Sequence, residues 1–138
     1  MLEKRQIQAF YGDTMERAVA LALPTILEKL LVLAQPIRIG TCAGSTVKQF
    51  FKALVLERTA SAPWQDVLQR SVFLPGDERV VEATSPACNL RALNEQLFSP
   101  LELKPEQIAW YRYDPDAEDL GLADLNRTFR VHGSAIDV

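Results

Sequence analysis

The sequence predicts an α/β fold three layers deep, with helices on both faces of a largely parallel sheet. Three observations carry that prediction. Short β-rich runs alternate with stretches of helical spacing along all 138 residues, and no repeat or low-complexity segment breaks the alternation. The apolar fraction is 48%, enough for a real core at this length, so one domain over residues 1–138 is expected. The charged fraction of 24% and aromatic fraction of 8% are ordinary globular values and disfavour disorder, collagen and coiled coil.

The elements follow in order. Gln6 to Tyr11 reads as a first strand closed by Gly12. Asp13 is the expected N-cap of the next helix, with Glu16 placed to close a capping box. Met15, Val19, Ala22, Ile26, Leu30 and Leu33 then recur at helical spacing, with Pro24 expected to kink or split the helix and Pro36 to stop it. Ile37 to Thr41 reads as a strand, followed by the small-residue turn Cys42-Ala43-Gly44-Ser45-Thr46 and a helix that buries Phe50, Phe51, Leu54 and Val55. Ser61 to Trp64 reads as a polar connector, and Ser71 to Leu74 as a strand ended by Pro75-Gly76.

Asp77-Glu78-Arg79 and an irregular stretch to Ala87 come next. Leu90, Leu93 and Leu97 place a helix over Asn89 to Phe98, and Ile108 to Tyr113 reads as a strand with aromatic residues. Asp114-Pro115 turns the chain, Leu122, Leu125 and Phe129 mark a last helix, and Ala135 to Val138 begins a further strand.

Fifteen Lys and Arg against eighteen Asp and Glu leave a formal charge of −3, which gives no basic surface to follow a phosphate backbone and excludes nucleic acid as a main partner. The N-terminus lacks the shape of a signal peptide, and the longest apolar runs, such as Leu30 to Ala34, are far too short to span a bilayer. A cytoplasmic protein with no membrane partner is therefore expected. Cys42 and Cys88 form neither a disulfide framework nor a metal spacing, and read as small semi-buried residues of a reducing compartment.

Two polar clusters fall beyond the carboxyl ends of strands, where ligands sit in parallel sheets. Gly44, Ser45 and Thr46 lie in a strand-to-helix turn, where backbone N–H groups and two hydroxyls make an anion cradle; the alternative is a plain turn with Ser45 as N-cap. The glycines and lysine of a dinucleotide fingerprint or Walker loop are missing. In the second cluster Asp77 is placed to hold or move a proton and Arg79 to grip an oxyanion bidentately; the alternative is a solvated cluster paired within itself. His132, the only histidine, reads as a residue of the last helix end, and Trp110, Tyr111 and Tyr113 as strand aromatics.

Together the clusters resemble a known family. The segment FLPGDERVVEATSPACNLRALNEQLF, Phe73 to Phe98, resembles the DER-x-V motif of 6-phosphogluconolactonases, in which an Asn follows the Asp by twelve positions, as Asn89 follows Asp77. GTCAGSTVKQFFKAL, Gly40 to Leu54, is similar to the phosphate loop of that family and of the related glucosamine-6-phosphate deaminases, and Trp64 before Val67 resembles the lead into the DER strand. The resemblance implies a Rossmann-like sheet and hydrolysis of 6-phosphoglucono-1,5-lactone in the pentose phosphate pathway of carbohydrate metabolism. It implies no metal and no organic cofactor.

Carried over residue by residue, Gly44, Ser45 and Thr46 would hold the substrate's phosphate, and Arg79 would add positive charge at phosphate or oxyanion. Asp77 would orient water or hydroxyls as the catalytic carboxylate, and Asn89 would brace the loop. Arg79 favours the lactonase branch, since the deaminases usually carry an aromatic residue there. The chain departs from the family at Ala43, Val47, Glu82 and Cys88, which stand where glycine, proline, proline and serine are usual. The family also continues into a Gly-x-Gly-x-Asp-Gly-His-Thr segment that supplies its general base, and His132 does not match it.

The chain therefore resembles the N-terminal portion of such a protein, cut after the start of its fifth strand. As given it is expected to show little turnover and to self-associate through an unpaired sheet edge. Two alternatives stay open: a non-catalytic sugar-phosphate binding module or degenerate subunit, and the glucosamine-6-phosphate deaminase/isomerase branch.

Overall fold

A computed structural model describes residues 8–132. Residues 8–11 form no strand and stay exposed, Tyr11 at 84%, so the apolar side chains expected to anchor a first strand have no face to bury. The rest of that expected strand, and the expected strand Ala135 to Val138, lie outside the described residues.

Helix α1 spans Met15–Leu31 and buries Val19, Leu23 and Leu30 along one stripe. Its N-cap is Thr14, one residue beyond the expected Asp13: the Thr14 hydroxyl accepts from the Arg17 N–H at 3.2 Å, while Asp13 pairs with the Arg17 guanidinium at 3.6 Å. Pro24 neither splits nor ends the helix. It sits on the exposed side, where the carbonyl that loses its N–H partner can turn to water.

Strands β1 (Ile37–Thr41) and β2 (Ser71–Pro75) pair in parallel, with Ile37 opposite Ser71 and Thr41 opposite Pro75. Between them run α2 (Lys48–Ala60) and α3 (Ala62–Gln69). The connector expected at Ser61 to Trp64 is the start of α3. Ser61 ends α2 and caps α3, accepting from the Trp64 N–H at 3.5 Å, and Pro63 falls in the first turn, where no N–H is needed.

Alternation along the strands sorts the core into two faces. Ile37, Ile39 and Phe73 point to a large cluster made with α1, α2 and α3. Val72 and Leu74 point the other way, to a small one with Ala109 and Phe129. The strand expected at Ile108 to Tyr113 is reduced to a parallel bridge between Phe73 and Ile108, with the Ala109 N–H donating to the Phe73 carbonyl at 2.9 Å.

The helix expected over Asn89 to Phe98 begins as α4 (Asn89–Leu93) and widens into a π-helical turn at Asn94–Phe98. That turn buries Leu97 and Phe98, whose ring meets Phe73 and Trp110 edge-on at 5.5 and 5.8 Å. Helix α5 (Leu122–His132) has no fully buried residue and lies on the small cluster through Phe129 and against the large one through Leu125. Among the described residues no helix is long and apolar enough to cross a membrane.

Candidate functional site

The parallel register sets the site. Thr41 and Pro75 are partners at the carboxyl ends of β1 and β2, so the loops that follow leave the sheet side by side. The Gly76 N–H donates to the Thr41 carbonyl at 2.7 Å and ties one loop to the other. A Cβ on Gly76 would lie 3.1 Å from that oxygen, so glycine suits the close approach. The Thr41 hydroxyl beside this tie is buried and has no hydrogen-bond partner among the described residues.

Gly44, Ser45 and Thr46 are exposed on the first loop, and the space around Gly44 is open. Ser45 is not a cap. The N-cap of α2 is Val47, which has no side-chain hydrogen bond, so the Ser45 cap of the plain-turn alternative is absent, while residues 45–47 do form a turn. The N–H groups of the first turn of α2 therefore have no side-chain acceptor at the cap and remain available to an anion.

In the second loop Asn89, at the start of α4 and buried, turns back on Asp77. Its Nδ2 donates to the Asp77 carboxylate at 3.1 Å and to the Asp77 carbonyl at 3.2 Å. One Asp77 oxygen is thereby oriented by a neutral donor, and the carboxylate itself is exposed.

Glu78 is the residue that the sequence does not reveal. Its Oε1 accepts from the N–H groups of Arg79 and Asn89 at 2.7 and 2.8 Å. Its Oε2 accepts from the Leu90 N–H and the Trp110 indole N–H, both at 2.7 Å. A single carboxylate thus caps α4 and anchors its own loop to the aromatic wall. Capping rules look three residues away; here the acid stands eleven and twelve positions ahead of its donors, so only the folded chain shows the link.

Two cavities flank this hub. One of about 270 Å³ is lined by Asp77, Glu78 and Gly76 on one side and by Leu122, Leu125 and Phe129 of α5 on the other. A second, about 260 Å³, is lined by Glu78, Arg79, Cys88, Leu90, Arg112 and Tyr113 among others. Tyr111 lies in the wall of both. Its hydroxyl donates to the Leu120 carbonyl at 2.7 Å, and burial, with Tyr113, Asp119 and Glu78 nearby, raises its pKa above the usual 10.0, so it stays a donor. Asp77 and Arg79 therefore line different cavities that share Glu78 and Tyr111, and Gly44, Ser45 and Thr46 line neither.

His132 is the last residue of α5, partly buried, and lines neither of these cavities. Cys88 is buried with its Sγ 4.0 Å from the Glu78 carboxylate, and Cys42 is exposed. No cluster of three or more metal-ligating residues occurs among the described residues.

Comparison with known proteins agrees with this architecture. A family model described as glucosamine-6-phosphate isomerases/6-phosphogluconolactonase matches residues 12–137. Among solved structures, a 6-phosphogluconolactonase from Thermotoga maritima superposes with a TM-score of 0.72 at 24% identity, over 91% of this chain and 54% of that one. That likeness is one of fold, and this chain spans about half the length of that protein. No curated protein matches the sequence.

Proposed function

This chain belongs to the glucosamine-6-phosphate isomerase/6-phosphogluconolactonase family, and from that premise we propose that the protein hydrolyses 6-phosphoglucono-1,5-lactone to 6-phosphogluconate in the pentose phosphate pathway. The observation that supports this reading is the bond from Asn89 to Asp77, which orients one carboxylate oxygen on a loop that the Gly76 N–H ties to the end of β1.

Water gives a proton to a base as it attacks the ring carbonyl, the charge that develops on the carbonyl oxygen collapses to break the bond to the ring oxygen, and the ring oxygen takes that proton back as it leaves. Asp77 orients the water or the sugar hydroxyls. The N–H groups of the 44–47 turn and the hydroxyls of Ser45 and Thr46 hold the phosphate. Arg79 supplies positive charge to an anionic group of substrate or product. Asn89 braces the loop, consistent with its burial and its two bonds to Asp77. Arg79, where deaminases usually have an aromatic residue, supports the lactonase branch.

The test follows acid release by the full-length protein from the lactone, above its spontaneous hydrolysis, with ammonia release from glucosamine 6-phosphate as the second arm. Asp77→Asn keeps the size of the side chain and removes its charge. It should lower lactone turnover about 100-fold or more with the fold intact. Equal turnover in that variant, or ammonia release in place of acid, would overturn the reading; saturable binding without turnover would replace it with a non-catalytic sugar-phosphate module.

A further inference from the structure

We propose that Arg112 joins Arg79 as a second cation of the 260 Å³ cavity, and that the pair binds an anionic group, phosphate or carboxylate, of a phosphorylated sugar acid. The ligand class rests on the function proposed above; the anion site does not.

The argument is one of charge left over. Arg17, Arg58, Arg70, Arg91 and Arg127 each pair with a carboxylate: Asp13, Glu102, Asp66, Glu95 and Asp124 respectively. The guanidinium groups of Arg79, Arg112 and Arg130 have no such partner among the described residues, and of these Arg79 and Arg112 share the wall of this cavity. The acid that shares their cavity is Glu78, and its oxygens are already taken by four N–H donors at 2.7 to 2.8 Å. With its lone pairs so engaged, it forms no ion pair with either arginine among the described residues.

The remaining wall suits a small polyol with a charged end. Val81, Ala83 and Leu90 are short apolar surfaces, and the Tyr113 hydroxyl has no hydrogen-bond partner among the described residues. Planar guanidinium forks match phosphate and carboxylate oxygens two at a time. Arg112 is also held at its backbone. Gly121 packs so tightly on it that a Cβ there would stand 2.3 Å from the Arg112 carbonyl oxygen, so the side chain leaves from a fixed point.

The experiment is calorimetric titration of the full-length protein with inorganic phosphate and, separately, with 6-phosphogluconate. Wild type is compared with Arg112→Gln, Arg112→Lys, Arg79→Gln and, as a remote control, Arg127→Gln. Arg112→Gln and Arg79→Gln should each weaken both ligands about tenfold or more, Arg112→Lys should recover part of the loss, and Arg127→Gln should leave affinity unchanged. Binding of phosphate and of 6-phosphogluconate that both ignore Arg112→Gln, or no binding of either, would overturn the site. Phosphate bound through both arginines, with 6-phosphogluconate held no tighter, would uphold the site and count against the lactonase reading.

Discussion

Glu78 bears more of the local architecture than the two charged residues beside it. Its four acceptor bonds join the backbone of its own loop, the first turn of α4 and the indole of Trp110. Glu78→Gln keeps the shape and replaces one oxygen by an NH2 group, which faces two N–H donors with nothing to accept from them. A donor left without an acceptor costs about 1–3 kcal/mol, and at this half-buried position the variant should lose about 2–4 kcal/mol. Urea denaturation measures the loss, and Trp110 emission reports whether the indole contact has gone; stability within about 0.5 kcal/mol of wild type would deny the hub. At this scale the sequence yields chemistry but not wiring. Asp77 and Asn89 are legible from their spacing and do meet, whereas Glu78 looks like one more surface acid until Trp110, 32 positions away, comes against it.

Between elements, the decisive contact is the one that joins the β1 and β2 loops. The Gly76 N–H to Thr41 carbonyl bond holds them at 2.7 Å, and a methyl on Gly76 would stand 3.1 Å from the same backbone oxygen. Gly76→Ala has to shift the loops apart by a few tenths of an ångström, lengthening that bond. The gain of about 0.4–1 kcal/mol from a stiffer unfolded chain offsets part of the cost. A net loss of about 1 kcal/mol is expected, with phosphate binding weakened alongside it. A variant with wild-type stability and wild-type phosphate affinity would show that the loop spacing does not matter. The elements themselves were largely legible: β1, β2 and α5 stand where apolar patterning puts them. What failed was punctuation. Pro24 reads as a breaker and the segment around Pro63 as a connector, yet one lies on the exposed side of a helix that buries its opposite stripe, and the other in a first turn where proline is welcome. The expected strand at Ile108 to Tyr113 keeps only its bridge to Phe73, because Trp110 and Tyr111 turn into the large cluster and hydrogen-bond to Glu78 and Leu120.

The whole molecule is unequal across its sheet. On the Phe73 face, sixteen buried residues of the described chain form one cluster; on the Leu74 face only Val72, Leu74 and Ala109 are buried, under Phe129. Packing is therefore expected to stabilise the two sides very differently. Leu97, fully buried in the π-helical turn, has no room to be replaced by solvent, and Leu97→Ala should cost about 2–5 kcal/mol and lower the midpoint of the whole unfolding transition. Phe129 is only half-buried and belongs to a helix with no fully buried residue, so Phe129→Ala should cost about 1–2 kcal/mol, well below the roughly 3–5 kcal/mol of a fully buried phenylalanine. The effect should also be local. Hydrogen exchange ought to rise across 122–132 while the amides of β2 keep their protection, because opening α5 removes only the partly buried Leu125 from the large cluster, whose sixteen buried residues all lie outside α5. That asymmetry bears on the proposed function, since Leu122, Leu125 and Phe129 line the same cavity as Asp77. Phe129→Ala should then weaken sugar-phosphate binding more than its stability cost alone would suggest. If instead it unfolds the chain as completely as Leu97→Ala, the two faces are one cooperative core and α5 is part of the scaffold, not a separable wall of the site.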